Sequence, residues 1–186
     1  MAGTFKSLRG KLLLDGGKLR GSFFHRTVIL ICQHDAEGAF GLILNRPTET
    51  TLAEAVVEEV PRRLRDQLLH TGGPVQAGAL SYLITDSLLL TANVLTGVSF
   101  GVSLETLAEA VDSASPMAQF RVFSGYAGWS PGQLDDEMKR GAWLTHPASV
   151  ELVFDTPIDG LWKSILQEMG PEYRLLADAP EDPSVN

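Results

Sequence analysis

The chain has a single cysteine, Cys32, among 186 residues. No disulfide can form within it, which fits a reducing compartment. Cys32 sits in the apolar run VILIC, so the expectation is a buried, inert thiol with a raised pKa. The four histidines, at 25, 34, 70 and 146, are dispersed, and no metal site is read from them. No stretch reaches the roughly 18 apolar residues of a membrane-spanning helix. LLL at 12–14 is too short for the core of a signal peptide. The Gly-x-Ser-x-Gly nucleophile pattern is missing, because Ser124 is flanked by Phe123 and Gly125. GGPVQAG (72–78) is neither a phosphate loop nor a dinucleotide fingerprint. These absences point to a cytoplasmic protein with no membrane segment, no metal, no cofactor and no recognisable catalytic residue.

What is present is ordinary globular material, 44% hydrophobic and 20% charged. The length fits one domain, taken as residues 1–176. The tail at 177–186, ADAPEDPSVN, has little to bury and is expected to be disordered. The net charge is −8 and the isoelectric point is about 4.9. An acidic chain repels phosphate backbones, which disfavours DNA as a partner. The charge is uneven: Lys6, Arg9, Lys11, Lys18, Arg20 and Arg26 face only Asp15 at the start, a formal +5. From residue 151 onward, eight acids face Lys163 and Arg174, a formal −6. The two ends either attract each other or are separately solvated.

GKLLLD (10–15) reads as a strand. TVILICQ (27–33) and AFGLILN (39–45) read as buried strands, since continuous apolar runs are covered on both faces. HDAEG between the latter two reads as a hairpin turn, with His34 and Asp35 a solvated pair. Thr51 and Glu54 have the spacing of a capping box before a helix from Leu52. Pro61 then opens a second charged helical piece, PRRLRDQLL, with Arg62, Arg63 and Arg65 on a solvated face. ALSYLIT and SLLLTANVL read as paired strands, with TGVSF a short strand or a turn. Ser103 begins a helix whose Leu104, Leu107, Ala108 and Val111 share one face. AQFRVFSG is a strand. The final helix is predicted from Thr156 and Pro157, with Trp162 on its core stripe, and ends at Gly170-Pro171. Strands and helices therefore mix without a regular βαβ beat. The expected class is α+β, a mixed and largely antiparallel sheet with helices on it.

FSGYAGWSPGQLDDEMKRGAWL (123–144) concentrates glycine and aromatic residues. Its second half explains itself as a helix. Ser130 and Gln133 form a capping box, acids crowd the first turn, Lys139 and Arg140 close it, and Gly141 ends it. SGYAGW leaves two readings open. One is a tight strand-to-helix turn with two aromatics covering the sheet end. The other is a ligand cradle.

GYAGWSPGQLDDEMKRGAWL closely resembles the hallmark of the YqgE/AlgH family of bacterial proteins. GKLLLD…FFHRTVILICQHDAEGAFGLILNRP, TGGPV (71–75) and VFDTPIDGLWKSIL are similar to its other blocks, so the resemblance spans about residues 8–170. It implies one domain with a mixed sheet curled towards a barrel and flanked by helices. Members have been labelled transcriptional regulators, and no reaction carries over. One departure is that Leu83-Ile84 stands where the family has Leu-His, so no role for a histidine transfers there.

NRP (45–47), GGP (72–74) and SGYAGW (124–129) each adjoin an apolar strand, and such turns tend to gather at one sheet edge. Asn45, Arg46, Gly72, Gly73, Ser124, Gly125, Tyr126 and Trp129 are therefore the candidate ligand-binding residues. The competing reading is that Asn45 and Arg46 pin adjacent loops. Two functions follow. The first is a non-enzymatic regulatory or adaptor protein with a protein partner. The alternative is a small-molecule or anion-binding protein, or an enzyme, using those turns.

Overall fold

A computed structural model describes residues 6–87 and 91–180 of the chain. Its strands are β1 (Lys11–Asp15), β2 (Val28–Asp35), β3 (Gly38–Ile43), β4 (Pro47–Thr51), β5 (Leu68–Thr71), β6 (Val75–Thr85), β7 (Ser99–Val102), β8 (Gln119–Trp129) and β9 (Trp143–Pro147). Its helices are α1 (Leu52–Ala55), α2 (Leu104–Ser113), α3 (Gln133–Lys139), α4 (Leu161–Met169) and α5 (Pro171–Asp178). The strands form one sheet in the order β4-β5-β8-β3-β2-β1-β9, with β6 on the other edge of β8 and β7 beyond it. Only β5 and β8 run parallel among these pairs. The sheet is therefore mixed, largely antiparallel and not closed into a barrel, as the α+β expectation requires.

The apolar runs fold as their pattern dictates. Leu12, Leu14, Leu30 and Leu42 face one core layer, under α4 and α5. Leu13, Ile29, Ile31 and Ile43 alternate to the opposite layer, under α3. All eight are fully buried, so both faces of β1–β3 are covered. A third cluster joins α1, α2 and the first half of β8. Cys32 lies in the first layer, where burial pushes its thiol up. The capping interaction at α1 forms, with Glu54 accepting from the Thr51 amide and hydroxyl at 2.8 Å each.

Several expectations are corrected by pairing. SGYAGW is not a strand-to-helix turn: β8 runs on to Trp129, because Ala127–Trp129 pair with β3. The turn is Ser130–Gly132, and Gly132, in a left-handed conformation, precedes α3. PRRLRDQLL forms only a 3-10 turn at Arg62–Leu64, since Leu68–Thr71 are captured as β5 between β4 and β8. Arg63 is not simply solvated. It donates to the carbonyls of Ser115, Pro116 and Ala118. The strand expected at 87–95 falls partly on 88–90, outside the described residues, and the antiparallel partner of β6 is β7. The last long helix starts at Leu161 rather than Thr156, which instead ends a π-helical turn at Glu151–Asp155. His34 is buried, and its Nδ1 accepts from the Leu8 amide at 3.0 Å.

Nothing in the sequence reading anticipated β4, β9 or α5. The tail expected from 177 begins inside α5, where Ala177 is buried; residues 181–186 lie outside the described residues. The two ends touch where the Arg26 guanidinium donates to the Ala179 main-chain carbonyl. Among the described residues no helix is long and apolar enough to cross a membrane. No group of three His, Cys, Asp or Glu among them could hold a metal ion.

Candidate functional site

The NRP, GGP and SGYAGW segments meet through their main chains. Thr71 donates its amide to the Arg46 carbonyl at 2.7 Å, and Gly72 donates to the Ser124 carbonyl at 2.9 Å. The Gly72 carbonyl in turn accepts from Ile43 at 2.9 Å. A Cβ on Gly125 would lie 2.4 Å from the Gly73 carbonyl oxygen, and Gly125 has φ +70°. The glycines are therefore required by a backbone-on-backbone seam, at the point where the edge of β8 passes from β5 to β3.

The side chains from this seam diverge into separate recesses. Asn45 and Arg46 line a cavity of about 290 Å³ with Arg26, Gly160 and Lys163. Their polar groups are already engaged. Asn45 accepts from the Val28 amide and donates to the Arg26 carbonyl, both at 2.9 Å. Arg46 donates to the carbonyls of Asn45 and His25. The Arg26 guanidinium lies 5.0 Å from the Trp162 ring, and Lys163 pairs with Asp178 at 2.8 Å. These contacts latch the 16–26 loop and α4 onto the sheet.

Tyr126 and Trp129 line a second recess, of about 570 Å³, with Phe40, Asp35 and Glu37. Tyr126 stacks on Phe40 at 4.8 Å, and Phe40 on Phe100 at 5.5 Å. The Trp129 indole donates to Glu137 at 2.8 Å. Hydrogen bonds from the Gln33 side chain and the Glu37 amide hold the Asp35 carboxyl below its usual range.

Ser124 opens onto a third and larger groove, of about 780 Å³. Its hydroxyl donates to the Ala77 carbonyl. The groove has an apolar floor that includes Val56, Leu69, Leu80 and Leu104, and its carboxylates are Glu58, Glu59 and Glu105. Among the described residues no Lys, Arg or His lines it. Val57 at its edge is wholly exposed.

The AlgH-like family profile matches residues 12–174. The chain belongs to the AlgH-like family. It is 38% identical to a UPF0301 protein of Chlorobaculum parvum and 36% identical to one of Pelodictyon phaeoclathratiforme, each over the whole of both chains. The solution structure of the AlgH protein from Pseudomonas aeruginosa superposes with a TM-score of 0.71 at 27% identity, covering 97% of both chains. Protein DIP2367 from Corynebacterium diphtheriae shares the fold, with a TM-score of 0.75 at 20% identity over 94% of each chain.

In this AlgH-like chain the glycines of TGGPV and GYAGW serve the seam. Ile84, at the position of the departure, packs in the α1–α2 core layer and carries no polar group. The sequence reading missed Glu58, Glu59 and Glu105. The one signal for Glu58 and Glu59 was the acidic pair in VVEEV (56–60), which falls outside every amphipathic pattern, while Glu105 reads only as a first-turn acid of the helix after Ser103.

Proposed function

We propose that the protein is a non-enzymatic adaptor, of regulatory character, that takes a basic amphipathic segment of a partner protein into the Ser124 groove. It would do so in a reducing bacterial cytoplasm. The observation behind this reading is the union of an apolar floor with three carboxylates and no cation in the largest recess described above. An apolar trough receives alternating side chains of a docked segment, and charge of one sign selects the partner and speeds its arrival. A chain of net charge −8 reinforces that selection at long range.

The test is fluorescence anisotropy with a labelled peptide alternating Leu and Lys, beside its Leu–Glu counterpart. The Leu–Lys peptide binds, weakens as salt rises, and is lost from a Glu58→Lys, Glu59→Lys, Glu105→Lys variant that keeps its circular dichroism spectrum. Equal binding of the two peptides, or binding indifferent to the triple variant, rejects the reading.

The recess of Arg26, Asn45, Arg46 and Lys163 beside the first turn of α4 supports a second reading, a small-anion binder. There Arg46 supplies charge and Asn45 an amide, while Tyr126 and Trp129 offer a separate aromatic wall. Arg46→Gln abolishes anion binding in this reading without unfolding the chain. A variant that only unfolds assigns Arg46 to the latch alone.

A further inference from the structure

The adaptor reading makes no use of the recess beside the β2–β3 turn. Strand register assembles that recess on one face of the sheet. Gln33 on β2 lies opposite Phe40 on β3, and Phe40 lies opposite Gly128 on β8. Asp35 is two residues from Gln33, and Tyr126 two residues from Gly128, so all of them share that face. Gly128 is exposed and brings no side chain to the space in front of Phe40. A Cβ there would stand 3.0 Å from Tyr126 Cε2. The result is an open hollow of about 570 Å³, within the size range of ligand sites.

Two kinds of surface meet in it. One is aromatic. Tyr126 stacks on Phe40 at 4.8 Å and Phe40 on Phe100 at 5.5 Å, yet Phe40 and Tyr126 stay only half-buried. The other is anionic, and is formed by Asp35 and Glu37. Asp35 is the diagonal neighbour of Phe40 across the strand pair, about 7–8 Å away. Glu37 is exposed in the turn. The Gln33 side chain and the Glu37 main-chain amide each donate to Asp35 at 2.8 Å, which keeps its carboxylate ionised. Lone pairs remain on both of its oxygens. Among the described residues no Lys, Arg or His lines the hollow. His34 turns to the opposite face, where its Nδ1 accepts from the Leu8 amide at 3.0 Å and its Nε2 lies 3.8 Å from Asp135.

The faces of aromatic rings are electronegative, so the two surfaces select the same thing: positive charge spread over an apolar body. An anion is repelled by both. The geometry points to this hollow as a binding site for an alkylated ammonium group, with Phe40 and Tyr126 as the wall against its alkyl groups and Asp35 and Glu37 as its counter-ions. A free small molecule and a methylated lysine side chain present the same head group. The site shares no lining residue with the Ser124 groove or with the Asn45–Arg46 recess.

The experiment is an NMR titration of the full chain at pH 7 and constant ionic strength. The probes are choline, its uncharged carbon isostere 3,3-dimethylbutan-1-ol, and a short peptide bearing trimethyllysine. Choline is expected to shift the amides of Gly38, Phe40 and Gly128 saturably, and the isostere to bind at least tenfold more weakly. Tyr126→Leu, and the double variant Asp35→Asn, Glu37→Gln, each weaken choline binding at least tenfold. Glu109→Gln, which removes an exposed acid from α2, stays within twofold of the parent. Tighter binding of the peptide than of choline assigns the head group to a protein side chain, and the reverse assigns it to a free molecule; either supports the site. Four results overturn it: equal binding of the isostere, undiminished binding in Tyr126→Leu, an equal loss in Glu109→Gln, or no saturable shift with choline or the peptide. The third marks mere attraction by the net charge of −8. Should Tyr126→Leu fail to fold, the double variant decides the question, because it keeps the shape of both side chains and removes only their charge.

Discussion

The main chains of Gly73 and Tyr126 touch: a Cβ on Gly73 would stand 2.1 Å from the Tyr126 carbonyl carbon. No side-chain rotation relieves that overlap, because both sides are backbone. Gly73→Ala must push β8 away from the turn that follows β5. It breaks the hydrogen bond from Gly72 to Ser124 and loosens the parallel pairing of His70 with Phe123. The expected loss is about 2–4 kcal/mol of unfolding free energy, at the severe end for point substitutions. Urea denaturation measures it. Gly132→Ala, where a Cβ meets nothing within 4 Å, serves as the comparison and pays only the strain of φ +73°, about 1 kcal/mol.

This seam also marks where sequence reasoning ran out. Glycines and aromatics at 125–129 were visible as a special stretch, but the backbone they must approach lies about fifty residues earlier, in GGP. Contacts of that kind leave no periodic trace. The strands of β1–β3 were legible because each is buried on both faces and reads as one unbroken apolar run. β5 was misread because Leu68-Leu69 follow three arginines at helical spacing, and only the parallel neighbour β8 makes them a strand. Among the candidate residues, the main-chain proximity of the three segments follows from strand ends meeting at one edge. Which way Asn45, Arg46 and Tyr126 turn was decided by partners such as His25, Arg26 and Phe40, which lie outside NRP, GGP and SGYAGW.

Glu137 holds the two halves of the 123–144 segment together. One carboxylate oxygen accepts from the indoles of Trp129 and Trp143, each at 2.8 Å, and the two rings meet edge-on at 6.2 Å. Glu137→Ala leaves two largely buried N–H donors without an acceptor. The cost is about 2–4 kcal/mol, since bonds to an ionised group are worth more than neutral ones. Glu137→Gln keeps one acceptor oxygen and loses about half as much. Thermal melting of the pair, followed by tryptophan fluorescence, checks both the size and the order of the effect.

Asp15 is the anchor of the 16–26 loop. Its buried carboxylate accepts from the amides of Gly17 at 2.8 Å, Leu19 at 3.2 Å and Arg26 at 2.9 Å. Its carbonyl also accepts from the Trp162 indole at 3.0 Å, which ties the loop to α4. Asp15→Asn retains the shape but turns one acceptor into a donor facing backbone N–H groups. A loss of about 2–4 kcal/mol is expected. Faster amide exchange confined first to residues 16–26 distinguishes this local release from general loosening. Uniform acceleration across the sheet instead would show that Asp15 stabilises the whole fold rather than the loop.

His70 gives the fold a pH dependence whose sign can be stated in advance. Burial, and then the charge of Arg121, lower its pKa from 6.5 to about 4. Between those values the unfolded chain binds a proton on His70 that the folded chain refuses, so stability rises with pH across the window. Lowering the pH from 7 towards 4 therefore removes about 2–3 kcal/mol on this account, on top of what the carboxylates contribute. His70→Leu keeps an apolar contact with Phe123 and deletes the proton site. Urea unfolding from pH 4 to 7 should give a shallower slope in the variant, with the two proteins converging in stability or crossing as the medium becomes acidic. Parallel slopes would mean that His70 takes up its proton as readily in the folded chain as in the unfolded one, and hence that burial and Arg121 do not hold it neutral.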